Sequence, residues 1–335
     1  MFEDKKILIT GGTGSLGQAL TQRLLQKNVK TVRILSRNED KQVKMESKFN
    51  DERLRFFLGD IRDKERLVRA TEDIDYVFHA AALKHVPKIE YNPFESIKTN
   101  VIGSQNVIDA CIESNVKKAI CIGTDKAVSP LNTYGATKLL MEKLFVTANN
   151  YVDPAKHPTK FIAVRYGNVL GSSGSVIPKF IEQLQNKKKI TITDHQMTRF
   201  SITMEEALDF ILKAAELGKG SEIFVPKTRA YTIFDVKEAL TKILGNYGEE
   251  MIGIRPGEKL HETLISNEEI RYSWEYNDLY MITNPLYPMF HPNVINDTYK
   301  GIMKLDGIES YSSNLVGKIS KDELANIISS SELLS

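Results

Sequence analysis

Short apolar runs recur along the first half of the chain and alternate with segments in which apolar residues follow a helical spacing. The first run, at residues 6–10, is followed by glycines and then by Leu16, Leu20 and Leu24, which share one helical face because they are four positions apart. Further strands are predicted at residues 32–35, 54–58, 76–79, 119–122 and 161–165. This alternation indicates an α/β fold with a Rossmann-like, doubly wound parallel sheet.

A glycine-rich turn joins the first predicted strand to the first predicted helix. Gly11 permits a tight turn, Gly14 lets the backbone approach a pyrophosphate, and Gly17 allows the helix to pack closely on the strand. Such a turn can be purely structural, but its place between a buried strand and an amphipathic helix favours a dinucleotide at the helix N-terminus. The other contacts predicted from this turn are Thr13, Ser15 and Leu16.

The end of the second strand predicts which nicotinamide cofactor binds. An acidic residue there bonds the 2′-hydroxyl of NAD, whereas a cation accepts the 2′-phosphate of NADP. The chain has Ser36 and Arg37 at this point, with Lys41 nearby, and we therefore predict NADP. Asp60 and Ile61, after the third strand, are predicted to frame the adenine. Three further cofactor contacts are predicted after the fourth strand, at Ala80, Ala81 and Lys84.

Candidate catalytic residues follow the fifth strand, where Thr124, Asp125 and Lys126 precede Tyr134 and Lys138. The i, i+4 spacing of Tyr134 and Lys138 puts phenol and ammonium on one helical face, where the cation is expected to lower the phenol pKa. Tyr134 could then take a proton from a hydroxyl, held by Thr124, while hydride leaves the same carbon. That oxidation does not need Asp125 or Lys126, which indicates a second acid–base step such as a dehydration. For Lys126 to act as a base its pKa must fall, and burial near Lys138 and oxidised nicotinamide is expected to lower it.

Composition excludes several classes of protein. The 335 residues carry a net charge of +2 with both signs interspersed, which is not the pattern of a nucleic-acid-binding protein. No apolar stretch approaches the length of a membrane span, so we expect no membrane association and a cytoplasmic location. Cys111 and Cys121 are expected to be buried, reduced thiols, and the six histidines lack metal-ligand spacing, so no metal site is predicted.

The domain organisation is predicted from a change in pattern near residue 170, where the chain becomes richer in loops. We expect a Rossmann domain at residues 1–170, a smaller and partly interleaved substrate-binding domain at 171–300, and a C-terminal tail at 301–335. In the tail, the capping-box pattern of Ser320 to Glu323 predicts a final short helix.

Seven segments carry a family resemblance: residues 11–17, 36–37, 79–87, 124–126, 134–138, 165–169 and 255–262. Together they resemble the inverting UDP-N-acetylglucosamine 4,6-dehydratases, extended short-chain dehydrogenase/reductase enzymes of pseudaminic acid biosynthesis. The resemblance implies that Tyr134 is the hydroxyl base, that Lys138 tunes it and anchors the ribose, and that Thr124 binds a hydroxyl. It also implies that Lys126 takes the C5 proton and that Asp125 protonates the departing C6 hydroxyl. The product would be UDP-2-acetamido-2,6-dideoxy-β-L-arabino-hex-4-ulose, and homo-oligomers are common in this family.

The same resemblance predicts the residues that face the UDP-sugar, namely Asn168, Arg199 and Arg255, with Lys84 and Glu258 as further contacts. Two positions depart from the family pattern. Gly123 stands where a serine commonly precedes the Thr-Asp-Lys motif, which we expect to be tolerated because Thr124 is present. Ser173 stands where an arginine is usual, which is expected to weaken affinity for cofactor or sugar.

Three other functions compete with this interpretation. A UDP-sugar 4-epimerase would use the same cofactor and Tyr134, but it has no need of an acid–base pair such as Asp125 and Lys126. A dehydratase of a capsule L-sugar pathway is closer, although those enzymes often lack the tyrosine. A non-catalytic NADP-binding sensor or scaffold would not require the complete set of five catalytic residues.

Overall fold

The computed structural model describes residues 1–172, 175–286 and 294–330. Its strands are β1 (Lys6–Thr10), β2 (Thr31–Ser36), β3 (Leu54–Leu58), β4 (Tyr76–His79), β5 (Lys118–Ile122), β6 (Lys160–Val164), β7 (Asn168–Val169), β8 (Ile190–Ile192), β9 (Thr198–Ile202), β10 (Glu222–Pro226), β11 (Ala230–Thr232), β12 (Glu249–Met251), β13 (Thr263–Ile265), β14 (Ser273–Tyr276), β15 (Leu279–Thr283), β16 (Met303–Lys304) and β17 (Tyr311–Ser312).

The helices are α1 (Ser15–Leu25), α2 (Glu39–Phe49), α3 (Lys64–Thr71), α4 (Val86–Tyr91), α5 (Pro93–Ser96), α6 (Gly103–Glu113), α7 (Thr133–Ala148), α8 (Val176–Gln185), α9 (Met204–Leu217), α10 (Ile233–Leu244), α11 (Asn267–Ile270), α12 (Val294–Thr298) and α13 (Lys321–Ser330). A π-helical segment, Ile97–Ile102, joins α5 to α6, and a 3₁₀ turn, Asp125–Ala127, precedes α7.

The main sheet contains ten strands within the described part of the chain, in the order β16-β14-β15-β10-β6-β5-β4-β1-β2-β3. The strands from β10 to β3 run parallel, and β15, β14 and β16 form an antiparallel edge. After β3 the chain returns to the other side of β1, so the strand order reverses between β1 and β4. Ligands bind at such a reversal, beyond the carboxyl ends of the strands. The predicted doubly wound parallel sheet is confirmed.

Burial of both faces of the sheet explains the continuous apolar runs in the sequence. Ile7, Leu8 and Ile9 in β1 have no exposed surface, because helices cover both faces of a parallel sheet. Leu20 and Leu24 of α1 are equally buried, and burying a side chain of this size stabilises the fold by about 1.5–3 kcal/mol.

Beyond residue 170 the chain contributes both to the main sheet and to smaller units. Strands β9 and β11 form one small sheet with β7, which lies just before residue 170. Strand β12 pairs with β8, and β13 pairs with β17. Strand β10 returns to the main sheet beside β6, so the two halves of the chain share one sheet. The division at residue 170 stays a prediction.

The C-terminal tail contains the predicted final helix. Helix α13 begins after Ser320, whose hydroxyl accepts a hydrogen bond from the Glu323 amide (3.2 Å).

The two cysteines, Cys111 and Cys121, are buried free thiols. No helix within the described ranges combines the length and apolarity needed to cross a membrane. The departure at Ser173 lies outside the described residues.

Candidate active site

The glycine turn forms a narrow cradle between β1 and the end of β4. Gly11 has a φ of 69°, and a side chain there would lie 2.8 Å from the Ala81 Cα. Gly17 is packed even more tightly, since a Cβ would lie 2.4 Å from the Gly12 carbonyl oxygen. Helix α1 begins with Gly14 as its N-cap and no side chain caps it, so the first-turn amides can meet an anion. These residues fit the pyrophosphate of a dinucleotide, with Thr13 buried under the turn and Ser15 at its exposed rim.

The residues predicted to bind the adenosine half gather at the carboxyl ends of β2 and β3. Arg37 is half exposed, and its Nη1 lies 3.6 Å from Asp60 Oδ2. Asp60 also accepts a hydrogen bond from Arg62 (2.7 Å), so it is shared between two cations. The Ser36 hydroxyl accepts a hydrogen bond from Gln42 (3.0 Å). Arg37 is therefore placed where a cofactor phosphate could reach it, and the choice of NADP stays a prediction.

The remaining predicted cofactor contacts differ in burial. Ile61 is a core residue packed against Gly103 at the start of α6, whereas Ala80 and Ala81 are half-buried after β4. Lys41 and Lys84 are exposed.

Lys126 lies at the centre of a buried polar cluster. Its Nζ is 3.0 Å from Asp125 Oδ1, 2.7 Å from Asn168 Oδ1 and 3.0 Å from Glu262 Oε1. The 3₁₀ turn after β5 aims Lys126 and Asp125 into the same space, and the Asp125 amide is bonded to the Tyr166 carbonyl (3.1 Å). All three ammonium protons therefore have acceptors.

The prediction that the pKa of Lys126 falls is wrong for the protein by itself. Burial lowers this pKa, but the Asp125 and Glu262 carboxylates outweigh burial and raise it. The predicted neighbour, Lys138, donates instead to the Ile122 carbonyl (2.6 Å). Lys126 is therefore an ammonium in this arrangement, and it must lose a proton before it can act as a base.

Asp125 has the properties of a proton donor. Only 1% of the residue is exposed, and this burial raises the pKa of its carboxyl. The nearby Glu262 carboxylate adds to the increase, while Lys126 opposes it. A raised pKa makes a carboxyl group easier to protonate, which suits a group that passes a proton to a leaving group.

The Tyr134 phenol lies close enough to the Thr124 hydroxyl for that hydroxyl to oppose the rise in the phenol pKa. The expected lowering of its pKa by Lys138 is wrong: burial raises the pKa of Tyr134 to about 12, against the opposing effect of Lys126. The Lys138 ammonium is turned toward Ile122 and Met141 and has no part in this shift. Thr124 also donates to Asp125 (2.9 Å), so it links the tyrosine to the acid–base pair.

Other predicted substrate contacts lie at different depths. Asn168 faces Lys126 directly. Arg199 is 8% exposed and bonds the carbonyls of Thr198 (2.7 Å) and Leu260 (3.2 Å). Arg255 is exposed and pairs with Glu258 (3.6 Å), on a loop that is joined to α7 by a hydrogen bond from Asn132 to Gly257 (2.8 Å). Their contacts with substrate stay predictions.

Comparison with known proteins fixes the family. A family model described as polysaccharide biosynthesis protein matches residues 7–284. This chain belongs to that family. It is 46% identical, over 99% of both chains, to a Campylobacter jejuni protein named UDP-N-acetylglucosamine 4,6-dehydratase (inverting). The family resemblance predicted from the motifs is confirmed.

Other proteins similar to this chain carry different names. A Rickettsia massiliae relative named UDP-glucose 4-epimerase is 40% identical over 98% of this chain and 96% of its own length. The X-ray structure of Pen from Bacillus thuringiensis aligns with a TM-score of 0.91, 40% identity and full coverage of both chains.

Sequence reasoning gave no role to Glu262, although it belongs to one of the family motifs. Glu262 is 3% exposed and joins Lys126 to Arg199, whose Nε is 3.7 Å away. Tyr231 and Lys259 lie near the same charges. Tyr231 reaches the site from β11 and no spacing in the sequence could have found it, whereas Lys259 and Glu262 lie in the recognised motif of residues 255–262, before β13.

The packing of β5 against β6 explains why glycine stands at position 123 of this chain. A Cβ at this position would lie 2.5 Å from the Val164 carbonyl oxygen, to which the Gly123 amide itself donates (2.6 Å). The close approach of β5 to β6 at this point excludes a serine in the same backbone position.

Proposed function

We propose that this protein is an inverting UDP-N-acetylglucosamine 4,6-dehydratase. The observation that carries the proposal is the buried contact between Asp125 and Lys126 (3.0 Å), next to Thr124 and Tyr134. A hydride transfer at one carbon needs a base, and an elimination at the next two carbons needs a second acid and base. The name of the 46% identical relative supports the same reaction.

In the first step, Tyr134 removes the proton of the C4 hydroxyl, which Thr124 helps to hold. NADP held at the glycine turn and by Arg37 would supply the hydride chemistry that links C4 to C6. Burial raises the pKa of Tyr134 to about 12 and Lys126 opposes this rise, and the positive charge of an oxidised nicotinamide would oppose it further.

In the second step, water is eliminated across C5 and C6. Transfer of one proton from the Lys126 ammonium to the Asp125 carboxylate turns the ion pair into a neutral amine and a carboxylic acid. The amine then takes the C5 proton, the electron pair forms the C5–C6 double bond, and the C6 hydroxyl leaves as water with the Asp125 proton. A ketone at C4 makes the C5 proton acidic enough for this step. Return of hydride to C6 and delivery of a solvent-derived proton to the opposite face of C5 would complete the L-arabino product.

NADP is the cofactor that we propose. Its support is the half-exposed Arg37 at the end of β2, where NAD-binding folds carry an acid. The charge of Asp60 weakens this preference in part, because its carboxylate faces Arg37 at 3.6 Å.

Mass spectrometry of the nucleotide sugar tests the reaction. Incubation of the protein with UDP-N-acetylglucosamine should give a product lighter by one water, and Lys126→Ala should abolish that loss while keeping cofactor. Lys64→Ala, an exposed lysine paired with Asp109 (3.5 Å), is the matched control and should retain full activity. Full activity in Lys126→Ala would refute its role in the elimination.

A UDP-sugar 4-epimerase is the second candidate, because relatives with that name share 40% identity with this chain. Its product has the same mass as its substrate, so the same experiment separates the two functions. A product of unchanged mass but altered stereochemistry at C4 would establish the epimerase.

We also propose that the protein is a cytoplasmic homo-oligomer acting in pseudaminic acid-type nucleotide-sugar synthesis. Large apolar side chains are exposed on helices that pack together, including Tyr91, Phe94, Ile102 and Leu140. A second copy of the chain would cover such a surface. Light scattering should report a mass that is a multiple of 37.9 kDa, and a monomer at micromolar concentration would contradict this assembly.

A further inference from the structure

Glu262 contacts the acid–base pair from a different part of the chain. Its Oε1 lies 3.0 Å from Lys126 Nζ and 3.7 Å from Arg199 Nε, and the residue is almost completely buried. Lys126 therefore has a carboxylate partner that does not depend on Asp125.

The second carboxylate oxygen of Glu262 is unusual. Oε2 is buried and has no hydrogen-bond partner among the described residues. A buried acceptor without a partner costs free energy, so the best arrangement for stability alone would be a different one. Such a group is more typical of a functional site than of a structural ion pair.

The backbone of Glu262 is fixed by the C-terminal tail. Its amide donates to the Ser313 hydroxyl (2.9 Å), and its carbonyl accepts from the Ser313 amide (2.8 Å). The Ser313 hydroxyl also bonds Thr198 (2.7 Å), which lies next to Arg199. These contacts fix the backbone segment that carries the Glu262 side chain.

We infer that Glu262 is a positioning residue for the elimination: it holds Lys126 through a contact that persists while Asp125 exchanges protons with Lys126 and with the leaving hydroxyl. The inference rests on the proposed dehydratase function. Without Glu262, the loss of charge on Asp125 would leave the Lys126 amine with no anionic partner, surrounded only by the neutral oxygens of Asn168 and Asp125.

The charges around Asp125 and Glu262 shift the pKa values of the two carboxyl groups in opposite directions, which gives the two residues different roles. Burial raises the pKa of both, but Lys126 and Arg199 outweigh burial at Glu262 and lower its pKa, whereas the pKa of Asp125 stays raised. Glu262 therefore remains an anion, and Asp125 is the group that carries the exchangeable proton. The titratable and charged groups that face Glu262 are Asp125, Lys126, Arg199, Tyr231 and Lys259.

The test compares Glu262→Gln and Glu262→Asp with the wild type. Glu262→Gln keeps the shape of the side chain but removes its charge, and we expect kcat to fall by about 10²-fold with little change in KM. Reduced nicotinamide should accumulate in a single turnover, because oxidation at C4 continues while elimination stalls. Glu262→Asp should recover part of kcat. Glu268→Gln, which removes a carboxylate that is 79% exposed, should behave as the wild type.

The pH profile of kcat separates positioning from a structural role. Removal of an anion beside two proton-binding groups makes protonation less favourable, so both limbs of the profile should move to lower pH in Glu262→Gln. The limbs should stay in place in Glu262→Asp. An unshifted profile, or no accumulation of reduced nicotinamide, would overturn the inference.

A second variant covers the case in which Glu262→Gln does not fold. Ser313→Ala loosens Glu262 and leaves every charge in place, so we expect a lower kcat at constant KM and an unmoved pH profile. An unchanged kcat in Ser313→Ala would contradict the inference. If the wild type forms no 6-deoxy product, the proposed function fails, and the role of Glu262 is rejected with it for that separate reason.

Discussion

Lys126 carries its proton in the protein because two carboxylates surround it. The sequence could place Asp125 and Lys126 together, since they are adjacent in the chain. It could not predict the direction of the pKa shift, because Glu262 joins the cluster from a distant segment and Lys138 turns away to Ile122. The local motif therefore predicted that Asp125 and Lys126 lie together, but it gave the wrong direction for the pKa shift of Lys126.

Asn168 is predicted to act on kcat through its contact with Lys126, and not only to bind the sugar. Its Oδ1 accepts a hydrogen bond from Lys126 (2.7 Å), so Asn168→Ala should lower kcat by about 10-fold with little change in KM. Steady-state kinetics with UDP-N-acetylglucosamine measures both constants. A raised KM at constant kcat would show that Asn168 binds the sugar instead.

For Arg37 the prediction concerns the choice of cofactor. Arg37→Ala removes the cation at the end of β2, so affinity for NADP should fall by about 10-fold or more and affinity for NAD much less. Titration of the protein with each cofactor checks this, with NAD as the internal control. Equal losses for both cofactors would refute the 2′-phosphate assignment.

Among the elements, β1, the glycine turn and α1 could be predicted best from the sequence. Their pattern is local: an apolar run, three glycines and a helical repeat of leucines. Strands β3 and β4 have the predicted bounds for the same reason. The short strands from residue 168 onward could not be predicted, because β7, β9 and β11 pair across long separations and carry little periodicity.

A pair of glycine variants tests the cradle. In Gly17→Ala the new methyl group would lie 2.4 Å from the Gly12 carbonyl, and we expect the free energy of unfolding to fall by about 1–3 kcal/mol. In Gly14→Ala the nearest atom is the Gly11 carbonyl oxygen at 3.3 Å, so the fold should be kept while cofactor affinity falls. Denaturant unfolding and cofactor titration measure the two effects. Equal stability of the two variants would contradict the packing role of Gly17.

At the scale of the whole molecule, the site depends on buried ions that join distant segments. Arg165, at the end of β6, has no exposed surface and bonds both Glu142 of α7 (3.1 Å) and Glu269 of α11 (2.9 Å). This contact fixes the helix that carries Tyr134 to the segment after β13. Sequence analysis could name the motif that begins at Arg165, but its partners depend on the completed fold.

At this scale we predict that the fold loses stability at acid pH, in part because of the buried side chain of His79. Burial lowers its pKa to about 3, with Lys138 adding to the effect, and its ring bonds Thr10 (2.7 Å) and Ser104 (2.9 Å). The unfolded chain binds a proton at this histidine below about pH 6.5 and the folded chain does not. The free energy of unfolding should therefore fall as the pH decreases from about 6.5 toward 3, by up to about 1.4 kcal/mol per pH unit from this group.

Replacement of the histidine isolates this contribution. His79→Gln should show a shallower loss of stability in that pH range, whereas His85→Gln, at an exposed histidine, should match the wild type. Denaturant unfolding at a series of pH values measures the slopes. A slope unchanged by His79→Gln would contradict the assignment.

Proton NMR of the purified protein with UDP-N-acetylglucosamine in deuterated water, without added cofactor, tests the central claim most directly. The account predicts a new 6-deoxy methyl signal, deuterium at C5 and the couplings of an L-arabino ring. Formation of UDP-N-acetylgalactosamine, or a 6-deoxy product that keeps the original configuration at C5, would contradict an inverting dehydratase.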